Sequence, residues 1–304
     1  SSGTIKVRGP DRAKHLRKLG TINYEFQTPS NLNKSTASDD LSILIGMDRF
    51  SFLVADAQQQ VLAIKSYAYR KPINAAYSLA LGIKDLCRSD ELLTAPYRSV
   101  RIALLNDKNT LIPEALYEKD AQRTYLEHVL EYAPQDRLRV DSIPGLALRN
   151  VYAVDPEVFR ALEGFFPQAQ LFHAHSPTIQ GFHKLAALQS EHRVYINVHG
   201  GQVQVLAFRG KDLLLSNAFP FESSTDFIYY VLLVYQQFEL KPEIVPLTIA
   251  GWVVEDSEIY HLLYRYIRLL HLVQAPDYYR FPEALHQEGQ LVHFFDLCSL
   301  KLCE

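Results

Sequence analysis

The stretch Leu41–Arg70, LSILIGMDRFSFLVADAQQQVLAIKSYAYR, reads as three short strands, and so does His192–Phe221, HRVYINVHGGQVQVLAFRGKDLLLSNAFPF. Set against each other at a constant offset of 151, the two match apolar on apolar without a gap. Ile43, Leu44 and Ile45 fall on Val194, Tyr195 and Ile196, Phe52 and Val54 on Val203 and Val205, and Leu62, Ala63 and Ile64 on Leu213, Leu214 and Leu215. An amphipathic helix follows each copy (Ile73–Leu86, Asp226–Leu240), then an apolar strand (Val100–Asn106, Val245–Gly251) at an offset of 145. Short apolar runs bounded by turn residues are the strand signal, and a period near 3.6 is the helix signal. A β-β-β-α-β unit that occurs twice predicts a duplicated α/β fold of two lobes, each a mixed sheet flanked by helices.

Working outward, the first hairpins turn at Asp48-Arg49 and Gln58-Gln59, the second pair at Gly200-Gly201 and Gly210-Lys211-Asp212. Between the copies, Pro113 reads as the start of a helix to about Tyr132, followed by strands near 138–143 and 147–153. Asp155-Pro156 starts a helix that stops at Pro167, and Gln170–His175 is a strand leading into a helix over Ser176–Gln189. After the second copy the pattern predicts a helix over about 256–270 and an apolar strand over Gln290–Leu302. The resulting division is a basic arm and polar linker (1–38), a first lobe with insertions (39–190) and a second lobe with a C-terminal segment (191–304).

A chain of 304 residues, 48% hydrophobic and 21% charged, has the make-up of a globular protein with room for two cores. Its net charge of −3 offers no bulk attraction for nucleic acid or an anionic membrane, so neither is expected as a partner. The longest apolar runs, such as Phe227–Tyr235, are too short to cross a bilayer, and no apolar leader segment is present, so no membrane insertion is expected. Three cysteines (Cys87, Cys298, Cys303) without a C-x-x-C pair favour buried thiols in a reducing compartment, hence a cytoplasmic location. Lys6, Arg8, Arg12, Lys14, Arg17 and Lys18 form a basic arm, read as a solvated terminus or as a handle for an acidic partner.

Three antiparallel strands, a crossover helix and a parallel strand, twice over, resemble the ribonuclease-H-like halves of the actin, sugar kinase and Hsp70 ATPase superfamily. In detail the chain looks most like an uncharacterised, mainly Bacteroidetes family of actin-like ATPase fold. Thr110-Leu111-Ile112-Pro113-Glu114-Ala115-Leu116-Tyr117, Asn217-Ala218-Phe219, Asp226 with Tyr229 and Tyr230, and Gly251 carry that resemblance, which covers about residues 38–303. The chain is also distantly similar to the cytoplasmic actin-like proteins of type IV pilus assembly and cell division. The superfamily implies ATP or ADP with Mg²⁺ between the lobes, its phosphates cradled by the first hairpin of each. Such hairpins need glycine and small hydroxyl residues for close backbone approach, and an acidic residue to hold the metal or orient water.

Against that pattern, Ile45-Gly46-Met47-Asp48-Arg49-Phe50 has its glycine and acid in reversed order and is followed by bulky residues. In Asn197-Val198-His199-Gly200-Gly201-Gln202 two glycines remain, with Asn197 or His199 at the acidic position. Gly46, Asp48, Gly200, Gly201 and Gly251 are therefore the nucleotide-contacting candidates, and the phosphate sites read as degenerate. The expected function is a non-hydrolysing protein-binding or scaffolding module with an unidentified protein partner. The alternative is a weak Mg²⁺-dependent ATPase or phosphotransferase, with Asp48 as the metal-facing carboxylate and Glu114 as a further catalytic candidate.

Other chemistry is sparse. The chain has neither a Walker A motif nor a G-x-S-x-G elbow. His173-x-His175 has strand spacing that a metal could use, but it lacks a third ligand, so no metal is expected. Phe227, Tyr229, Tyr230, Tyr235 and Phe238 sit at helical spacing and read as core before they read as a base-stacking platform. Tyr278, Tyr279, Phe281, Phe294 and Phe295, beside Pro276 and Pro282, suggest an exposed apolar patch.

Overall fold

The computed structural model describes residues 4–6, 20–28, 35–73, 75–127, 133–253 and 256–304. The basic arm from Arg8 to Lys18 lies outside the described residues, as does the end of the helix expected to reach Tyr132. The chain forms two compact units, one of residues 1–176 with 277–284 and residue 304, the other of 177–276 with 285–303.

The first unit contains strands β1 (Thr4–Lys6), β2 (Gly20–Gln27), β3 (Asp40–Ile45), β4 (Arg49–Ala55) and β5 (Val61–Tyr69). Helices α1 (Ala76–Ser89) and α2 (Glu91–Thr94) lead to strands β6 (Ser99–Leu104) and β7 (Asn109–Pro113), then to helix α3 (Gln122–Glu127). Strands β8 (Arg137–Ile143) and β9 (Leu148–Val154), helix α4 (Pro156–Phe165) and strand β10 (Gln170–His173) follow, and helix α5 (His175–Ala186) has its first two residues in this unit and the rest in the second. The main sheet has the order β1-β2-β5-β4-β3-β6-β10, and β7-β9-β8 form a separate small sheet. Strand β6 runs parallel to β3, and β10 parallel to β6.

In the second unit, strands β11 (His192–His199), β12 (Gln202–Arg209) and β13 (Asp212–Pro220) precede helix α6 (Ser224–Gln237) and strand β14 (Leu247–Gly251). Helix α7 (Glu258–Tyr266) and strand β15 (Leu270–Leu272) complete a sheet of order β13-β12-β11-β14-β15. Two short helices, α8 (Glu283–Gln287) and α9 (Phe295–Ser299), come last. Helix α6 starts with a full capping box, in which Ser223 Oγ accepts from Asp226 N–H and the Asp226 carboxylate accepts from Ser223 N–H. Among the described residues no helix is long and apolar enough to cross a membrane.

The duplication is real and extends further than the sequence suggests, since the parallel edge strands β10 and β15 also correspond. Its register differs from the sequence match. Ile45 pairs with Phe50 across Met47-Asp48, and Val198 pairs with Val203 across Gly200-Gly201. The offset on these two strands is thus 153 (Ile45 to Val198, Phe50 to Val203), and on the fourth strand it is 147 (Leu104 to Gly251). A slip of two residues keeps every side chain on its own face, so alternation alone cannot detect it. The corrected register brings buried core onto buried core: Leu41, Ile43 and Ile45 match Val194, Ile196 and Val198, and Phe50, Phe52 and Val54 match Val203, Val205 and Ala207.

Three elements depart from expectation. Pro113 closes strand β7 opposite Leu148, where a strand end tolerates a residue without N–H, and only 3-10 turns separate it from α3, so the expected α-helix begins later, at Gln122. Residues 270–272 form β15, and the preceding helix stops at Tyr266. Residues 290–302 are short helical turns, not a strand. Leu291, Val292, Phe294, Phe295, Leu297, Cys298 and Leu300 are all buried there, and a segment apolar on every side has no period to read.

Candidate functional site

At the first hairpin, Gly46 N–H donates to Arg49 O (2.9 Å), and the carbonyls of Met47 and Asp48 accept from Ile73 and Tyr69 N–H (both 2.8 Å). Gly46 lies outside the left-handed region, and a Cβ there would approach only to 3.4 Å of Asp48 Oδ1, so the carboxylate folds back over it. Arg49 Nε donates to Asp48 Oδ2 at 3.1 Å, with both side chains largely covered. Burial, and after it the Asp48 charge, pushes the Tyr69 hydroxyl well above the tyrosine range. The candidate metal-facing carboxylate is therefore already paired with a cation that would repel Mg²⁺.

At the second hairpin, Gly200-Gly201 are the two-residue tip between paired His199 and Gln202. A Cβ on Gly201 would meet only Phe221 O at 3.6 Å, so the backbone does not demand glycine there. Gly251 is the opposite case. Its φ is +91°, and a Cβ would sit 2.3 Å from Val198 O and 2.8 Å from Asn197 Oδ1, so only glycine fits the end of β14.

The group that organises this end of β11 is Asp296 of α9, a residue the sequence analysis does not single out. Its carboxylate accepts from Asn197 Nδ2 (3.0 Å), from His199 Nε2 and from Leu297 N–H (2.8 Å). Burial alone would raise this carboxyl, but the His199 charge and these hydrogen bonds outweigh it and hold it below the usual aspartate value. The signal was present in the sequence, as one carboxylate within an otherwise apolar run, but its partners are 97 and 99 positions away. Trp252, the single tryptophan, stacks on His293 with centroids 4.5 Å apart, and His293 Nδ1 donates to Gly251 O at 2.7 Å.

The first unit has its own buried polar cluster. Asp141 Oδ2 accepts from Ser176 Oγ (2.6 Å) and His173 N–H (2.8 Å), while Ser176 Oγ accepts from Asn150 Nδ2 (3.0 Å). Burial pushes the Asp141 carboxyl up to about 7 despite these donors. His173 Nδ1 accepts from His175 N–H, so its proton is on Nε2, facing Asn106 O at 3.0 Å. Burial, with the neighbouring His175, holds His173 well below the usual histidine value. The two histidines do not share one strand face, because His173 ends β10 and His175 begins α5. Among the described residues no group of three His, Cys, Asp or Glu side chains could hold a metal.

The remaining candidates disperse. Glu114 lies on a 3-10 turn and pairs with Arg149 at 2.6 Å near the surface. Of the tail aromatics, Tyr279, Phe294 and Phe295 are buried and Tyr278 and Phe281 half-buried, so they do not form the suggested exposed patch. On α6, Phe227 and Tyr235 are core, whereas Tyr229 is exposed.

A profile of the family described as "Protein of unknown function (DUF3822)" matches residues 29–270. The chain belongs to that family. No curated protein matches this DUF3822 chain. Among solved structures, it is similar to a Bacteroides thetaiotaomicron protein of actin-like ATPase fold and unknown function. That likeness has 20% identity and a TM-score of 0.72, and covers 88% of this chain and 97% of the other. It is also similar to a chain of the PilM-PilN type IV pilus biogenesis complex, with 15% identity, a TM-score of 0.55, and 86% and 97% covered. At these identities the likeness shows the fold, which is the actin-like ATPase fold.

Proposed function

We propose that this chain is a non-hydrolysing member of the actin-like fold that works by binding another protein in the cytoplasm. The observation that carries the reading is that the ionisable side chains at both hairpins are paired within their own unit. Arg49 neutralises Asp48, and Asp296 takes both Asn197 and His199. An acid that must orient water or hold Mg²⁺ acts through a free, aimed charge, and losing one such charge costs a phosphoryl-transfer site about 3 kcal/mol or more. The PilM-PilN complex supports a protein partner, because a protein of the same fold was solved bound to one. Buried free Cys87, Cys298 and Cys303 support a reducing compartment.

Isothermal titration calorimetry with ATP and ADP, with and without Mg²⁺, tests the reading on the wild type and on Asp48→Ala. The expected result is no Mg²⁺-dependent heat from either protein. Tight binding that needs Mg²⁺ and disappears in Asp48→Ala would replace the reading with the weak ATPase or phosphotransferase.

A further inference from the structure

We propose that the outer edge of β13 is a self-association site, pairing antiparallel with β13 of a second copy about a two-fold axis near Ser216. The duplicated fold supplies the comparison. In the first unit the equivalent edge, β5, is covered by antiparallel β2, and seven of the nine β5 residues are buried. Among the described residues no strand pairs with the outer edge of β13, and none of its nine residues is buried. Leu213, Leu214, Leu215 and Phe219 are half-buried, a length of apolar edge of the kind that recruits another strand.

The edge has a defined usable length. Antiparallel ladders use alternate residues, and Ala218 N–H donates to the Asn217 side chain at 2.9 Å, which marks Ser216 and Ala218 as outward-facing on the side of the register shift between Ala207 and Phe208 that holds residues 215–220. Pro220 has no N–H to offer, so the edge closes there. A two-fold axis at Ser216 sets Ser216 against its own copy and Leu213 against Phe219. Charge selects this occupant. At the start of β13 exposed Lys211 and Asp212 stand beside exposed Arg209, which ends β12, so that end is net positive, and exposed Glu222 follows the other end. Antiparallel self-pairing brings Glu222 of each copy within one residue of the other copy's Lys211, twice per dimer, whereas a parallel arrangement would set like charges together.

Analytical ultracentrifugation of the full chain without nucleotide tests this separately from the functional reading. The expected result is a reversible dimer, weakened about tenfold or more by either Lys211→Glu or Glu222→Lys, since each reversal makes two repulsive pairs. The double variant Lys211→Glu/Glu222→Lys is expected to restore it, and Ser216→Pro, which removes the outward N–H, to abolish it. Circular dichroism identifies any variant that fails to fold, and the charge variants stand without the proline. A monomer at every concentration would overturn the proposal. So would a dimer indifferent to both reversals, or a double variant no better than the singles.

Discussion

The two units carry the same five-strand plan and spend their polar residues in opposite places. In the first, the position matching Gly251 is Leu104, and those matching Asn197 and His199 are Leu44 and Gly46, so the end of β3 is apolar and plain. Its buried carboxylates stand elsewhere, at Asp39, Asp136, Asp141 and Asp90, the last of which accepts from Lys65 Nζ (3.0 Å) and Tyr67 OH (2.5 Å). In the second, the end of β11 is the polar centre, held by one aspartate from a distant helix. A duplicated backbone thus fixes the sheet and leaves each copy free to place its charges. The chemistry of one hairpin cannot be read from the other.

Substitutions can break this contrast. The largest effect is expected at Gly251→Ala, where the backbone of Val198 cannot move away: a loss of roughly 4 kcal/mol or failure to fold, read by the fluorescence of Trp252 in a urea titration. If Gly251→Ala unfolds like the wild type, β14 does not need its glycine. Next, Asp296→Ala strands a buried histidine and is expected to cost about 3 kcal/mol in the same titration. Asp296→Asn, which still accepts a hydrogen bond, should cost less. Equal losses would show that the retained acceptor contributes nothing and that the charge carries the effect.

In the first unit the expected effect depends on pH. The Asp141 carboxyl is raised to about 7 from 3.8, so the folded state holds a proton that the unfolded chain has released. Its contribution is fully present below pH 3.8 and is lost as pH rises through about 7, at up to about 1.4 kcal/mol per pH unit. Asp141→Asn is therefore expected to raise the urea midpoint strongly at pH 8 relative to wild type and by less at pH 5. An equal gain at both pH values would sink this account. The smallest effect is expected at Gly201→Ala, within about 1 kcal/mol, because the added Cβ meets only a carbonyl at van der Waals distance.

The repeated strands were legible because alternation over several short runs is a strong signal, and the same period of two hid the register. Strand β2 was not legible, since Gly20–Gln27 mixes polar and apolar residues between the basic arm and a polar linker and becomes a strand by pairing with β5. At the site, the sequence pointed to the hairpins and their misplaced acid. It could not show that Arg49 folds onto Asp48 or that Asp296 reaches His199, because partners 97 residues apart leave no local pattern. Gly251 reads from the sequence as a nucleotide-contacting candidate, and its positive φ supplies a structural reason for glycine.

Both units depend on residues far along the chain. Arg280 closes against Gln60 and Val61 in the first, and α9 seals β11 in the second. Contacts of such sequence separation are slow to form. On the ribosome, neither unit can complete its core until residues 277–303 have emerged. Until then the open ends of two sheets wait together, and chaperones have both to guard.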